Sequence, residues 1–67
     1  MAKPNNPLSS VPAIGTRVVH IPTEREGEVT SSAGHDGRAY MANVLFEGHP
    51  HEDTVYVHTL ALAGATR

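Results

Sequence analysis

From Gly15 onward, apolar and polar residues alternate in short runs separated by clusters of Gly, Pro, Asp and Ser. No window keeps apolar residues three and four apart, the spacing that one face of a helix requires. Alternation with a period of two belongs to a strand with one side toward a core and the other toward water. The pattern therefore predicts an all-β chain. In the first run, Gly15 to Pro22, Val18 and His20 fall on one face while Arg17, Val19 and Ile21 fall on the other. Pro22 ends that run, because proline has no backbone donor for a ladder. Residues Gly27 to Ser32 predict a second strand with Val29 inward. Ala33 to Arg38 places two glycines around His35 and Asp36, chemistry suited to a turn with positive φ, and so predicts a hairpin. The third run is the clearest: Tyr40, Ala42, Val44 and Phe46 share one face, and Met41, Asn43, Leu45 and Glu47 the other. Thr54 to His58 predicts a fourth strand with Val55 and Val57 inward. A short turn at Thr59 and Leu60 then leads to a last strand around Ala61, Leu62 and Ala63.

Residues 1–13 differ in character, with Pro4, Pro7 and Pro12 set among Asn and Ser. They read as a flexible N-terminal arm, followed by one domain over residues 14–67. Five short strands in so short a domain suit a small five-stranded barrel, because closing the sheet removes edges that would otherwise stay exposed.

The segments Gly15-x-x-Val18-x-His20, Gly27-x-Val29, Val44-x-Phe46 and Val55-x-Val57-His58, followed by Leu60 or Leu62, resemble the SH3-like barrels of the KOW and Tudor-like group. That group includes small domains of bacterial transcription factors, C-terminal modules of repair helicases, and the barrel subunit at the stromal face of photosystem I. The resemblance covers roughly residues 14–63 and implies an SH3-like five-stranded barrel of bacterial or phage type. It further implies an accessory module that docks on larger transcription, repair or translation machinery. Two features of the group do not carry over. An aromatic cage for methyl-lysine needs clustered aromatics, and the chain offers only Tyr40, Phe46 and Tyr56, with Phe46 expected in the core. The basic loops of RNA-binding members are replaced by loops holding Glu24, Glu26, Asp36, Glu52 and Asp53. The type II dihydrofolate reductases, also small barrels with an arm, are similar in outline. Their pore motif Val-Gln-Ile-Tyr meets Thr54-Val55-Tyr56-Val57 here, without the glutamine.

Composition narrows the function further. A chain of 67 residues buries only about 60% of the surface its unfolded form exposes, so its stability is expected to be marginal. It has no cysteine, which removes disulfides and thiolate ligands. No apolar run approaches the roughly 18 residues of a membrane span, and the start of the chain lacks the apolar stretch of a secretory signal. The mature chain is accordingly expected to begin near Met1, in the cytoplasm, with no membrane partner. The formal charge is −2, with Lys3, Arg17, Arg25, Arg38 and Arg67 dispersed. Nucleic-acid affinity draws on cations set against phosphates, so this charge disfavours it. Arg17, Arg25 and Arg38 are the residues that would serve such binding.

Three groups of residues carry candidate chemistry. In residues 47–53, EGHPHED, the alternating His49, His51 and Asp53 would point one way in an extended segment and present zinc-type ligands. Gly48 and Pro50 instead favour a solvated loop, and neither a fourth ligand nor a second His or Cys pair adjoins them. No metal or other cofactor is expected. His20, beside Val18 on the inward face, reads as a half-buried ring bonded to a backbone carbonyl, with a titrating switch as the alternative. Ser9, Ser10, Ser31 and Ser32 lack a glycine elbow, and no base and orienting group can be paired with them. No catalytic residue is expected. The outward apolar residues Val19, Ile21, Met41, Leu45 and Tyr56 predict a covered surface, because an outer strand face in water is ordinarily polar. The expected function is protein binding through that face. Self-association of an assembly protein through the arm is one alternative, and weak nucleic-acid binding is another.

Overall fold

The computed structural model describes residues 7–63. The alternating runs form five antiparallel strands of one sheet: β1 (Arg17–His20), β2 (Arg25–His35), β3 (Tyr40–Phe46), β4 (Asp53–Tyr56) and β5 (Leu60–Leu62). Their order across the sheet is β4-β3-β2-β1-β5. The chain is thus all-β, as its period-two pattern predicts.

The central strand β2 is longer than the expected Gly27 to Ser32. It pairs with β1 through Arg25 to Glu28 and with β3 from Gly27 to His35, with register irregularities between Val29 and Ser31 and between Ser32 and Gly34. Extra residues of this kind bend and twist a strand, which lets a single sheet wrap toward its own inner face. Beyond β2, the turn at residues 36–39 is closed by Asp36, whose Oδ1 accepts the backbone N–H groups of Arg38 at 2.8 Å and Ala39 at 3.1 Å. Gly37 supplies the positive φ there, at 97°.

Core residues come from alternate positions on the inner face. Val18, Val29, Ala42, Val44 and Phe46 are buried, joined by Val57 and Leu60, and Val55 packs beside them. Apart from Leu60, expected in a turn, these are inward positions the alternation predicts; of the others predicted inward, His20 is half-buried and Tyr40 lies 52% exposed. It stands at the hairpin end of β3, opposite His35, beyond the reach of the packed cluster.

The sheet is not closed, so the expected barrel is reduced to an open five-stranded sheet. Among the described residues no ladder joins β4 to β5. The expected fourth strand stops at Tyr56, and a 3₁₀ turn over Val57–Thr59 leads into β5. That turn drops Val57 into the core. Part of the arm also covers the inner face: Leu8 and Val11 pack on the core, and the Leu8 N–H donates to the Leu60 carbonyl at 2.9 Å. Residues 1–6 of the arm lie outside the described residues, as does Lys3, and so do residues 64–67, including Arg67.

Candidate functional site

The outer positions of the sheet include four of the five residues expected to bind protein, Ile21 lying just beyond β1, and the register decides which of them meet. Met41 on β3 lies opposite Tyr56 on β4, and Asn43 lies opposite Thr54. Leu45 lies opposite Glu28. Met41 and Tyr56 are half-buried and Leu45 is exposed. The outward positions of β3 and β4 therefore run Met41, Tyr56, Asn43, Thr54 and Leu45; beside them the Glu52 carboxylate accepts from the Thr30 hydroxyl across β3. The Thr54 hydroxyl donates to Asn43 Oδ1 at 2.6 Å, and Asn43 Nδ2 donates to Ser31 Oγ at 2.9 Å. These neutral pairs link β2, β3 and β4 across the middle of the face.

Val19 and Ile21 are not brought into this group. Val19 lies on β1 opposite Glu26 on one side and Ala61 on the other. Ile21 follows β1 and donates its N–H to the Thr59 carbonyl at 2.8 Å. Between them and Met41 runs β2, with Glu26 and Glu28 facing outward. Alternation within a strand places a residue on a face, while position across the sheet depends on strand order.

Charges concentrate on the β1–β2 half. The Arg17 guanidinium donates to Glu47 and Glu26 carboxylates. Glu47 above all, helped by Glu26, holds the Arg17 pKa above its ordinary value against the opposing effect of desolvation. Arg25 contacts His49 Nε2. Arg17 and Arg25 are thus engaged locally, and Arg38 sits at the far end of β2 on the hairpin tip. The three arginines do not form one basic surface.

The EGHPHED stretch is a loop between β3 and β4, with Gly48 at φ 84°. His49 turns back onto the sheet: its Nδ1 lies 3.3 Å from Asp53 Oδ2, and its ring meets Phe46 edge-on at 6.3 Å. Because Arg25 occupies the other nitrogen as a donor, the neutral ring carries its proton on Nδ1 toward Asp53. His51 is exposed and does not join them, since the loop is not the extended segment that alternation would need. Among the described residues no group of three His, Cys, Asp or Glu side chains is placed to hold a metal ion.

His20 is half-buried, as expected, with a different partner. Its Nδ1 lies 2.8 Å from the Thr23 hydroxyl rather than a backbone carbonyl. The chain turns tightly after β1, where the Glu24 N–H bonds to the His20 carbonyl at 2.6 Å, and this brings Thr23 beneath the ring. Burial first, and the Arg25 charge second, push the His20 pKa below its ordinary value. The ring packs edge-on to Phe46 at 5.8 Å.

A further cluster went unread in the sequence. His35 meets Tyr40 edge-on at 4.7 Å, and Tyr56 stacks on His58 at 5.4 Å with 20° between the rings. The Tyr56 phenol donates to Asp36 Oδ2 at the hairpin tip. Strand pairing assembles this set from residues 35, 36, 40, 56 and 58; the signal available was the recurrence of aromatic and imidazole residues at strand ends.

Compared with known proteins, the chain matches no family model, no curated protein and no solved structure. No helix among the described residues is long and apolar enough to cross a membrane.

Proposed function

We propose that the chain is a non-catalytic binding module of the SH3-like type, docking on a larger protein through the apolar residues of the β3–β4 half of its outer face. The observation that carries this reading is the division of apolar residues. A complete core of eight buried residues forms without Met41, Leu45 or Tyr56, which are left on the outer side of β3 and β4 with the carboxylates of Glu28, Asp36 and Glu52 around them. Apolar surface of this kind gains roughly 25 cal/mol per Å² when removed from water. The neighbouring Arg17, Glu26, Glu28 and Glu47 supply the polar rim that orients a partner. The strand order β4-β3-β2-β1-β5, with a 3₁₀ turn between β4 and β5, supports the SH3-like assignment and with it an accessory role in transcription, repair or translation machinery of a bacterium or phage, in the cytoplasm. The serines fit a binding role as well: Ser31 accepts from Asn43 and Ser32 from the Gly34 N–H at 3.3 Å, neither being paired with a base. Val19 and Ile21 would contact only a partner that extends across β2.

Self-association through the arm is less favoured, because the Leu8 bond to Leu60 commits that segment to its own sheet. Broad nucleic-acid binding through Arg17, Arg25 and Arg38 is less favoured because the first two are engaged. The test is to replace Met41 and Leu45 by glutamate. Loss of a protein partner with retention of the β-sheet circular dichroism supports the reading, and an undiminished partner refutes it.

A further inference from the structure

We propose that a cleft at the hairpin end of the molecule binds one nucleotide unit, its base against Tyr40 and His58 and its phosphate at Arg38 and His35. This site does not rest on the docking reading, although Tyr56 of that face stacks on its His58.

The cleft has a volume of about 310 Å³ and lies between Leu8 and Ser9 of the arm, His35, Arg38 and Tyr40 of the β2–β3 hairpin, and His58 of the 3₁₀ turn. Its size is at the low end of the roughly 300–1,000 Å³ typical of small-molecule sites, enough for a single nucleotide unit rather than a dinucleotide. No carboxylate lines it. The nearest acid on the hairpin, Asp36, is occupied on both oxygens: Oδ1 by the N–H groups of Arg38 and Ala39, Oδ2 by the Tyr56 phenol.

The donors available are specific. Arg17 is held by two carboxylates and Arg25 by His49, whereas Arg38 has neither kind of partner among the described residues. His35 Nδ1 accepts the Gly37 N–H at 3.0 Å, so the neutral ring carries its proton on Nε2, as a second donor. A guanidinium and a ring N–H lining one cleft suit a phosphate oxyanion. The remaining walls are rings. Tyr40 is half exposed and braced edge-on by His35, and His58 is braced from behind by stacking on Tyr56. Aromatic walls alone would equally take an organic cation, but the one fixed charge that lines this cleft is the Arg38 cation, the ionised Asp36 lying outside the lining. A bare phosphate would leave the aromatic walls unused. A base joined to a phosphate uses both.

The test is a proton–nitrogen NMR titration of the full chain with adenosine monophosphate, adenosine, inorganic phosphate and phenyl phosphate in parallel. Adenosine monophosphate is expected to give saturable shifts at Gly37, Arg38, Ala39, Tyr40 and His58. Arg38→Ala should weaken it about tenfold, as for loss of a charge-assisted bond, and leave adenosine unchanged. Tyr40→Ala should weaken both by about fivefold or more, the lower end of base–aromatic stacking. Both positions are exposed, and Tyr40→Phe, which keeps the ring, should bind as the parent does. A deoxyadenosine oligomer then separates the sources. Affinity that rises with oligomer length and falls with salt identifies a single strand, and equal affinity per nucleotide identifies the free compound; either upholds the site. The proposal is overturned by absence of saturable shifts at millimolar nucleotide, by inorganic or phenyl phosphate binding as tightly as the nucleotide, or by indifference to both alanine substitutions.

Discussion

The phenol of Tyr56, on the edge strand β4, donates to the carboxylate of Asp36 at the tip of the β2–β3 hairpin, 2.5 Å away and 20 residues earlier in the chain. This bond ties the edge strand to the turn and fixes one end of the proposed docking face. It is also the largest of the causes that hold the Asp36 carboxyl down to about 2, with the Arg38 and Ala39 amides adding to it, and it raises the Tyr56 pKa in return.

A carboxyl depressed in the folded state contributes stability that is present above its unfolded value, about 3.9, and is lost as pH falls through the folded one. The Tyr56–Asp36 tie is therefore predicted to persist into strong acid. Tyr56→Phe should move the Asp36 titration upward toward the ordinary carboxylate range, as read from its side-chain carbon in NMR. An Asp36 that still titrates near 2 in the variant would show that the phenol is not the main cause.

His20 has a linkage of the same sign, in a higher range of pH. Its folded form favours the neutral ring, so its contribution to stability is complete above the unfolded value, about 6.5, and declines as pH falls through its lowered folded value. The His20 ring is predicted to titrate below about 6.5, and the thermal midpoint of the protein to fall over the same interval. His20→Asn, which can still bond to Thr23 but does not titrate, should flatten that fall. An unchanged pH profile in the variant would assign the effect to the other histidines.

Gly27 marks a contact that only a missing side chain permits. A methyl group added there would lie 2.7 Å from the Leu45 carbonyl oxygen, 2.8 Å from Val44 Cγ1 and 3.0 Å from Phe46 Cα. Two of these are backbone atoms of the paired strand and have little room to yield. Gly27→Ala should cost about 1–3 kcal/mol, the range for overpacking a core, measured as a lower urea midpoint at constant slope. A loss below about 0.5 kcal/mol would mean that β2 and β3 separate more easily than their pairing suggests.

Leu60 is fully buried and its carbonyl also receives the Leu8 amide. Leu60→Ala should cost about 2–5 kcal/mol, a large share of what a domain this small possesses. We expect a variant with weakened β-sheet circular dichroism and poorly dispersed amide resonances. A well-folded Leu60→Ala protein would contradict the position given to this residue at the centre of the core.

Much of this fold is legible because the strands are half-buried. Val18, Val29, Ala42, Val44 and Phe46 could be read inward since each sits two residues from another inward position or beside a glycine-marked turn. The 3₁₀ turn at Val57–Thr59 was read partly as strand, because alternating Val55 and Val57 both face the core whether the chain stays extended or turns. Strand order was not encoded in alternation, so Val19 and Ile21 were grouped with Met41 and Tyr56 although β2 separates them. The same limit hid the aromatic cluster and the pairing of Arg17 with Glu47, both of which depend on contacts between distant segments. Thr23 beneath His20 arises from the tightness of a turn whose sequence, Ile-Pro-Thr-Glu, marks only its existence.

The most direct test of the docking reading is affinity capture of the tagged chain from a bacterial lysate after nuclease treatment, run in parallel with the Met41→Glu, Leu45→Glu variant. The captured protein is then purified and bound again in isolation. The reading predicts a stoichiometric protein partner that rebinds the parent chain and is lost from a variant whose circular dichroism is unchanged. A partner retained equally by the folded variant, or capture of nothing but further copies of the chain, would contradict it.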